Sequence, residues 1–294
     1  MIKHKTRQND DVRFNVDMKG IKSFTQILEK IDEGKIGKEL FPRPPKTTDP
    51  VQSYGVILFI QNARSISYFT CKRRTTVEFS EIVKCGPRKE KLYQYLSNMT
   101  NYERRLLCTQ SHDKLWDDLL LTEMSLFNST KKKVRTIHEA YKPYFDELMN
   151  LTSSITLTPP FEFPKGRSNH FQDKTLLATA LRELKEEANI DLGSSVDLVD
   201  DLSVTETYKG TDGIKYQTTY YVIRSPEFFK PNPAFYDTDN CIGSFAISID
   251  MVDSEWIKLP LYETPIKGST PLSERLEGLL FKVHAKLCST QPNV

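Results

Sequence analysis

Glu183, Glu186 and Glu187 stand at positions i, i+3 and i+4. On an α-helix those positions share one face within a single turn. Three carboxylates held so close repel one another. A hard divalent cation, Mg2+ or Mn2+, removes the repulsion because it takes oxygen ligands. Acidic faces of this spacing also occur on ordinary solvated helices, but two neighbours set this one apart. Arg182 adjoins Glu183 and reaches Glu186 at i+4, and a loop Pro164-Lys165-Gly166 precedes the segment.

The carboxylates need a rigid helix behind them. Leu177, Ala180, Leu181, Leu184 and Ala188 form an apolar stripe, which predicts a helix over 175–190 packed on a core. That core should be a sheet. The runs 54–60 and 66–71 are rich in β-branched and aromatic residues about a polar turn at Asn62-Ala63-Arg64-Ser65, and read as a hairpin. Further strands are expected at 203–208, 216–224, 244–250 and 256–259. A C-terminal helix is expected from Leu276, Leu279, Leu280, Val283 and Leu287, with Ser273 near its start.

Between about 81 and 150 three apolar sets recur at helical spacing, Leu92 to Met99, Leu115 to Met124, and Val134 to Leu148 with Pro143 interrupting. The expected organisation is therefore an N-terminal helical and extended segment over 1–50, an α/β domain formed by 51–80 and 151–294, and a helical insertion over 81–150. A helix is expected around 21–33, followed by an extended stretch through Phe41-Pro42-Arg43-Pro44-Pro45.

Composition excludes several classes. With 38% hydrophobic and 27% charged residues, the 294-residue chain can bury a core and is not a disordered one. The longest apolar run, Tyr54–Ile60, is far short of the roughly 20 residues that span a bilayer, so no membrane association is expected. The polar N-terminus lacks a signal peptide's apolar stretch, which predicts a cytoplasmic or nuclear protein. Five widely spaced cysteines without a C-x-x-C pair argue against a disulfide framework or zinc cluster. A net charge of +2 does not describe a wholly basic nucleic-acid binder, although Lys72-Arg73-Arg74, Arg104-Arg105 and Lys131-Lys132-Lys133 are locally basic.

Arg182, Glu183, Leu184, Glu186, Glu187 and Ile190 match, position by position, the Nudix box G-x5-E-x7-R-E-U-x-E-E-x-G-U, where U is aliphatic. The chain departs from it at Ser168 and Asn189, where the box has glycine, and at Lys174, where it has glutamate. Asp173 lies beside Lys174 and is the candidate substitute, since that glutamate mainly partners the box arginine. The resemblance implies a Nudix α/β/α sandwich with a mixed sheet and a Mg2+- or Mn2+-dependent pyrophosphohydrolase. Its metal would sit on Glu183, Glu186 and Glu187, with Lys165, Gly166 and Arg182 shaping the phosphate loop. A further catalytic carboxylate would come from Asp250, six residues before Trp256, with Asp253 and Glu255 as alternates.

Three stretches, 72–82, 92–107 and 182–191, further resemble the viral mRNA-decapping Nudix enzymes of poxviruses, asfarviruses and giant viruses. This implies hydrolysis of capped mRNA to m7GDP and a 5′-monophosphate RNA, in the host cytoplasm if the chain is viral. The cap would stack on Tyr216 and on Phe79, because Val77 occupies the family's stacking position, and Asp212 and Glu206 would read the purine edge. The RNA body would follow Arg73, Arg74, Arg104, Arg105, Lys131, Lys132 and Lys133, together with Arg88, Lys89 and Lys91. No obligate protein partner is evident. The alternative within the fold is a Nudix hydrolase of a small anionic diphosphate, either an inositol pyrophosphate or a nucleoside diphosphate derivative. A non-catalytic Nudix-like binding domain is a different class, disfavoured by the three retained glutamates.

Overall fold

The computed structural model describes residues 18–31, 49–120, 128–169, 171–193, 196–210, 213–227, 251–260, 266–267, 270 and 272–289. Strand β1 (Val51–Gln61) carries six consecutive buried residues, Tyr54 to Phe59, the pattern of a central strand covered on both faces. It turns at Asn62 into the antiparallel β2 (Ser65–Arg73). Asn62 Oδ1 holds that turn by accepting from the Arg64 and Ser65 amides, each at 2.9 Å.

Four short or medium strands follow, β3 (Phe161–Glu162), β4 (Lys165–Gly166), β5 (Asp197–Lys209) and β6 (Lys215–Arg224). The last is β7 (Met251–Pro260). The main path runs β3-β2-β1-β6-β5, with β4 also on β1 and β7 also on β2. The β1–β6 pair is parallel and the other pairs are antiparallel, so the sheet is mixed.

Alternate residues of β1 serve alternate layers. Val56 and Leu58 pack with Ala180 and Leu184 of one helix (Leu176–Ala188, α8 in chain order). Ile57 and Phe59 pack with Leu276, Leu280 and Val283 of a second (Glu274–Ser289, α9). The architecture is an α/β/α sandwich about a mixed sheet.

Among the described residues six α-helices lie between β2 and β3: α2 (Val77–Cys85), α3 (Leu92–Asn98), α4 (Asn101–Thr109), α5 (His112–Leu120), α6 (Asn128–Tyr141) and α7 (Phe145–Asn150). They share a core of their own, which also takes Phe24, Ile27, Leu28 and Ile31 on or just after α1 (Met18–Lys30). Pro143 sits in a 3-10 turn, Lys142–Tyr144, that separates α6 from α7. The first of these helices begins at Val77, earlier than the expected boundary at 81, because Thr76 caps it there, its side chain accepting from the Phe79 amide at 3.2 Å. The strand expected at 244–250 lies outside the described residues. Among the described residues no helix is long and apolar enough to cross a membrane.

Candidate active site

Helix α8 starts at Thr175, whose Oγ1 accepts from the Ala178 amide at 3.0 Å. It ends at Asn189, which is left-handed at φ 54°. Asparagine enters that region more readily than most residues, which explains how it stands where the box has glycine. The helix is thus fixed at both ends and along its apolar stripe, and its acidic turn is held in register against the sheet.

Arg182 organises that turn. Its Nη1 donates to Glu183 Oε1 at 2.8 Å and Glu186 Oε2 at 2.6 Å. Its Nε and Nη2 grip both oxygens of Asp173 at 3.0 and 3.1 Å, and Nη2 also donates to the Arg167 carbonyl at 2.8 Å. Asp173 therefore supplies the acidic partner of the arginine. Arg182's hydrogen bonds hold the Asp173 carboxyl below the usual carboxylate range, aided by the Asn169 amide and the Thr179 hydroxyl.

The loop ahead of α8 presses against the same turn. A Cβ on Gly166 would come within 2.0 Å of Glu183 Cδ, so only glycine lets this carboxylate lie on the β4 backbone. One residue earlier, the Lys165 amide donates to Glu187 Oε2 at 2.9 Å. Burial pushes the Glu187 carboxyl up to about 8, against the opposing pull of Lys165. Burial likewise raises Glu183 and Glu186, although Arg182 works the other way on both. One buried and two half-buried carboxyls, all raised by burial, are a donor set that fits a hard divalent cation. Among the described residues no three acidic, histidine or cysteine side chains close around one point, because Arg182 bridges Glu183 and Glu186 while Glu187 turns to the loop.

A second cluster joins this turn through the loop. Lys165 Nζ pairs with Glu162 at 2.7 Å, and Arg73 Nη1 approaches the same oxygen at 3.4 Å. Burial would raise Glu162, but Lys165 and Arg73 outweigh it and hold the carboxyl at about 2. Nearby, Tyr208 and Tyr216, cross-strand partners on β5 and β6, stack at 5.5 Å with planes 21° apart. The Arg275 guanidinium lies 3.9 Å over Tyr208 and pairs with Glu206. Tyr216 is opposite Val51 on one edge of β1 and Gly166 opposite Tyr54 on the other, three residues or about 10 Å apart along the strand and two strand spacings, about 10 Å, across it. Glu162, Tyr208 and Arg275 carry no sequence signal of their own; each is an ordinary strand or helix residue until the register is known.

Several expected roles change. Phe79 is 3% exposed in the helical core, on the inward face of α2, and offers no ring to a ligand. Glu206 is buried, accepting from the Tyr220 hydroxyl at 3.2 Å and paired with Arg275, so its oxygens are spent within the fold. Arg73 is committed to Glu162 and to the Thr75 carbonyl. Arg104 is buried, and its guanidinium donates to the carbonyls of Leu96, Met149 and Thr152 at 2.8, 2.5 and 2.7 Å. It ties α3 to the end of α7 and does not face solvent. Lys131 pairs with Asp117 at 2.5 Å and lies 3.8 Å from Asp113, which cancels much of its charge. Arg105, Lys132 and Lys133 are exposed. Asp212 and Asp250 lie outside the described residues, as does the side chain of Asp253, while Glu255 is exposed on β7.

No protein-family profile matches the chain, and no curated protein sequence does. Among solved structures the chain is similar to the NUDIX domain of Shewanella oneidensis NrtR complexed with ADP ribose. That match has 10% identity over 83% of this chain and 94% of that one, with a TM-score of 0.38. It is also similar to a C. elegans Ap4A hydrolase binary complex, at 12% identity over 81% and 90% of the two chains and a TM-score of 0.33. A MutT/nudix family protein from Enterococcus faecalis follows at 10% identity over 84% and 65%, with a TM-score of 0.37. Identities and scores this low leave substrate and mechanism to be argued from the residues themselves.

Proposed function

We propose that the chain is a Nudix-type hydrolase that splits the P–O–P bridge of a nucleoside diphosphate derivative. The observation that carries this is the acidic turn of α8, with Glu183 seated on a glycine that a Cβ would evict it from. Glu183, Glu186 and Glu187 would hold Mg2+ or Mn2+, which when bound neutralises pyrophosphate charge and lowers the pKa of a water. Hydrolysis would form a P–O bond from a water to one phosphorus and break the bridging P–O bond there, the bridging oxygen leaving with the other phosphate and the water's proton passing to solvent, so that two phosphorylated products result. Arg182 keeps Glu183 and Glu186 on one side of the helix. The Lys165 amide fixes Glu187, and the Tyr208–Tyr216 pair offers an aromatic surface for a base.

A small nucleotide substrate is favoured over capped RNA because several of the groups that would read a cap or track RNA are engaged elsewhere. Phe79 is core, Glu206 is bound to Arg275, Arg104 is a buried staple and Lys131 is paired. The deciding assay offers ADP-ribose, a cap-labelled RNA and an inositol pyrophosphate to the protein with Mg2+ or Mn2+. Release of AMP from ADP-ribose well above the other turnovers is expected. Release of m7GDP as the dominant reaction would restore decapping, and no hydrolysis of any of the three would remove the enzyme reading.

A further inference from the structure

Lys165 reaches two acids with two different groups. Its amide donates to Glu187 Oε2 at 2.9 Å, while its ammonium donates to Glu162 Oε2 at 2.7 Å. Both side chains of this ion pair are nearly enclosed, at 14% and 11% exposure, so water does little for either charge. Glu187 attracts the same ammonium through space. The ammonium therefore has two acids within its field, and the fold seats it on the one outside the acidic turn.

Strand β3 makes that choice. Glu162 pairs with Cys71 in the register of β2, and the chain is tied down on both sides of it. The Pro160 carbonyl accepts from the Arg73 amide and the Pro164 carbonyl from the Val56 amide, each at 3.0 Å. Arg73 Nη1 also approaches Glu162 Oε2, at 3.4 Å, so two cations share one carboxylate. Without Glu162 both lose their acid, and a buried ammonium that loses its partner must find another. For Lys165 the acid that remains is Glu187. The difference matters to Glu187. An amide is a neutral donor that orients the carboxyl and leaves its charge intact. An ammonium would cancel that charge and repel an incoming cation.

We propose that Glu162 is a positioning residue for the acidic turn: by seating the Lys165 ammonium on β3, it keeps Glu187 open to a divalent cation. The inference rests on the metal-holding role proposed above for Glu187. It adds a residue on another strand, outside the acidic turn, on which that role depends.

The test is titration calorimetry with Mn2+ on the full chain, for wild type, Glu162→Gln, Lys165→Met and the double variant, each with a thermal melt. Glu162→Gln should weaken Mn2+ binding by about 10- to 100-fold, because the released ammonium pairs with Glu187. Adding Lys165→Met removes the competing charge and keeps the amide, so the double variant should return close to the wild-type affinity. If Glu162 served only to hold the loop together, a second lost contact would bring no recovery. That result, or Mn2+ binding unmoved by Glu162→Gln, would overturn the proposal and leave the metal role of Glu187 standing. Wild type that binds no Mn2+ would remove the metal role, and the proposal with it. If Glu162→Gln melts below the assay temperature, Lys165→Met in the otherwise native chain decides. With the ammonium gone Mn2+ should bind at least as tightly as in wild type, and a loss of about tenfold would show that the ammonium supports Glu187, which refutes the proposal.

Discussion

Gly166→Ala isolates the geometry of the acidic turn from its charge. The new methyl would lie 2.0 Å from Glu183 Cδ and 2.1 and 2.3 Å from its two oxygens. To reach ordinary contact at 3.4 Å the carboxyl must retreat by about 1.4 Å. Glu183 is the far end of a flexible side chain, and Gly166 is not among the glycines with positive φ, so the fold can absorb the change. Stability should therefore fall by no more than about 1 kcal/mol. Activity should not escape, because a displacement of about 1 Å at a reacting centre lowers rate by roughly 100-fold, or about 2.7 kcal/mol of barrier. The measurement is kcat/KM for ADP-ribose with saturating Mg2+, paired with a thermal melt. In the double variant with Glu183→Gln the two losses should overlap and not add, since both act through one carboxylate. A Gly166→Ala protein within threefold of wild type, with an unchanged melt, would show that Glu183 need not lie on the β4 backbone.

The remaining expectations concern single residues. Glu187→Gln should keep the acceptor for the Lys165 amide and leave stability unchanged or higher, yet lower kcat by at least about 100-fold in the same assay. Asp173→Asn removes the charge that holds Arg182 and should cost about 1–3 kcal/mol in urea unfolding at pH 7. Because the Asp173 carboxyl is depressed in the fold, that difference should vanish as pH falls through and below about 4, the unfolded value. His138 is fully buried, with both ring nitrogens unpartnered among the described residues, and burial lowers it to about 3. Below an unfolded value of about 6.5 only the unfolded chain takes its proton, so wild type should lose up to about 1.4 kcal/mol per pH unit down to about 3. His138→Phe should flatten that slope, and parallel urea midpoints for the two proteins between pH 7 and 5 would refute it. Arg104→Met should destabilise by about 3 kcal/mol, by taking the guanidinium from the Leu96 and Thr152 carbonyls and from that of Met149, which keeps the Thr152 amide, whereas Arg105→Ala should stay within about 0.5 kcal/mol; equal melts would deny the staple.

What was legible in the sequence followed from short-range rules. Helix α8 and its shared acidic face are fixed by spacing within 15 residues, and the β1–β2 hairpin by two apolar runs around Asn62. Roles that rest on long-range register were not legible. Phe79 and Arg104 look like surface chemistry in a one-dimensional reading, since an aromatic or a basic residue on a short helix carries no mark of which face turns inward. Arg104 is spent on carbonyls of residues 45 and 48 positions away, a debt that appears only once α7 returns to α3. The same holds for Tyr208 on Tyr216, whose stacking depends on the β5–β6 register, and for Arg275, which reaches Glu206 across 69 residues.

The segment Glu162–Gly166 joins the two clusters. Its backbone faces α8, through the Lys165 amide on Glu187 and the bare Cα of Gly166 under Glu183. Its side chains run the other way, Lys165 onto Glu162 and both within electrostatic reach of Tyr208 on the α9 side of the sheet. A Cβ on Gly55 would meet the Pro164 carbonyl at 2.4 Å and Lys165 Cβ at 2.7 Å, so β1 lets the loop pass directly over it. The loop is therefore pinned from below by a glycine, on one flank by carboxylates and on the other by an ion pair. On the hydrolase reading proposed above, a phosphate chain lying along it would have its scissile bridge beside the acidic turn and its base directed toward the tyrosines. This ordering follows from the register of β1 with β4 and β6, and it needs no contribution from the helices between β2 and β3.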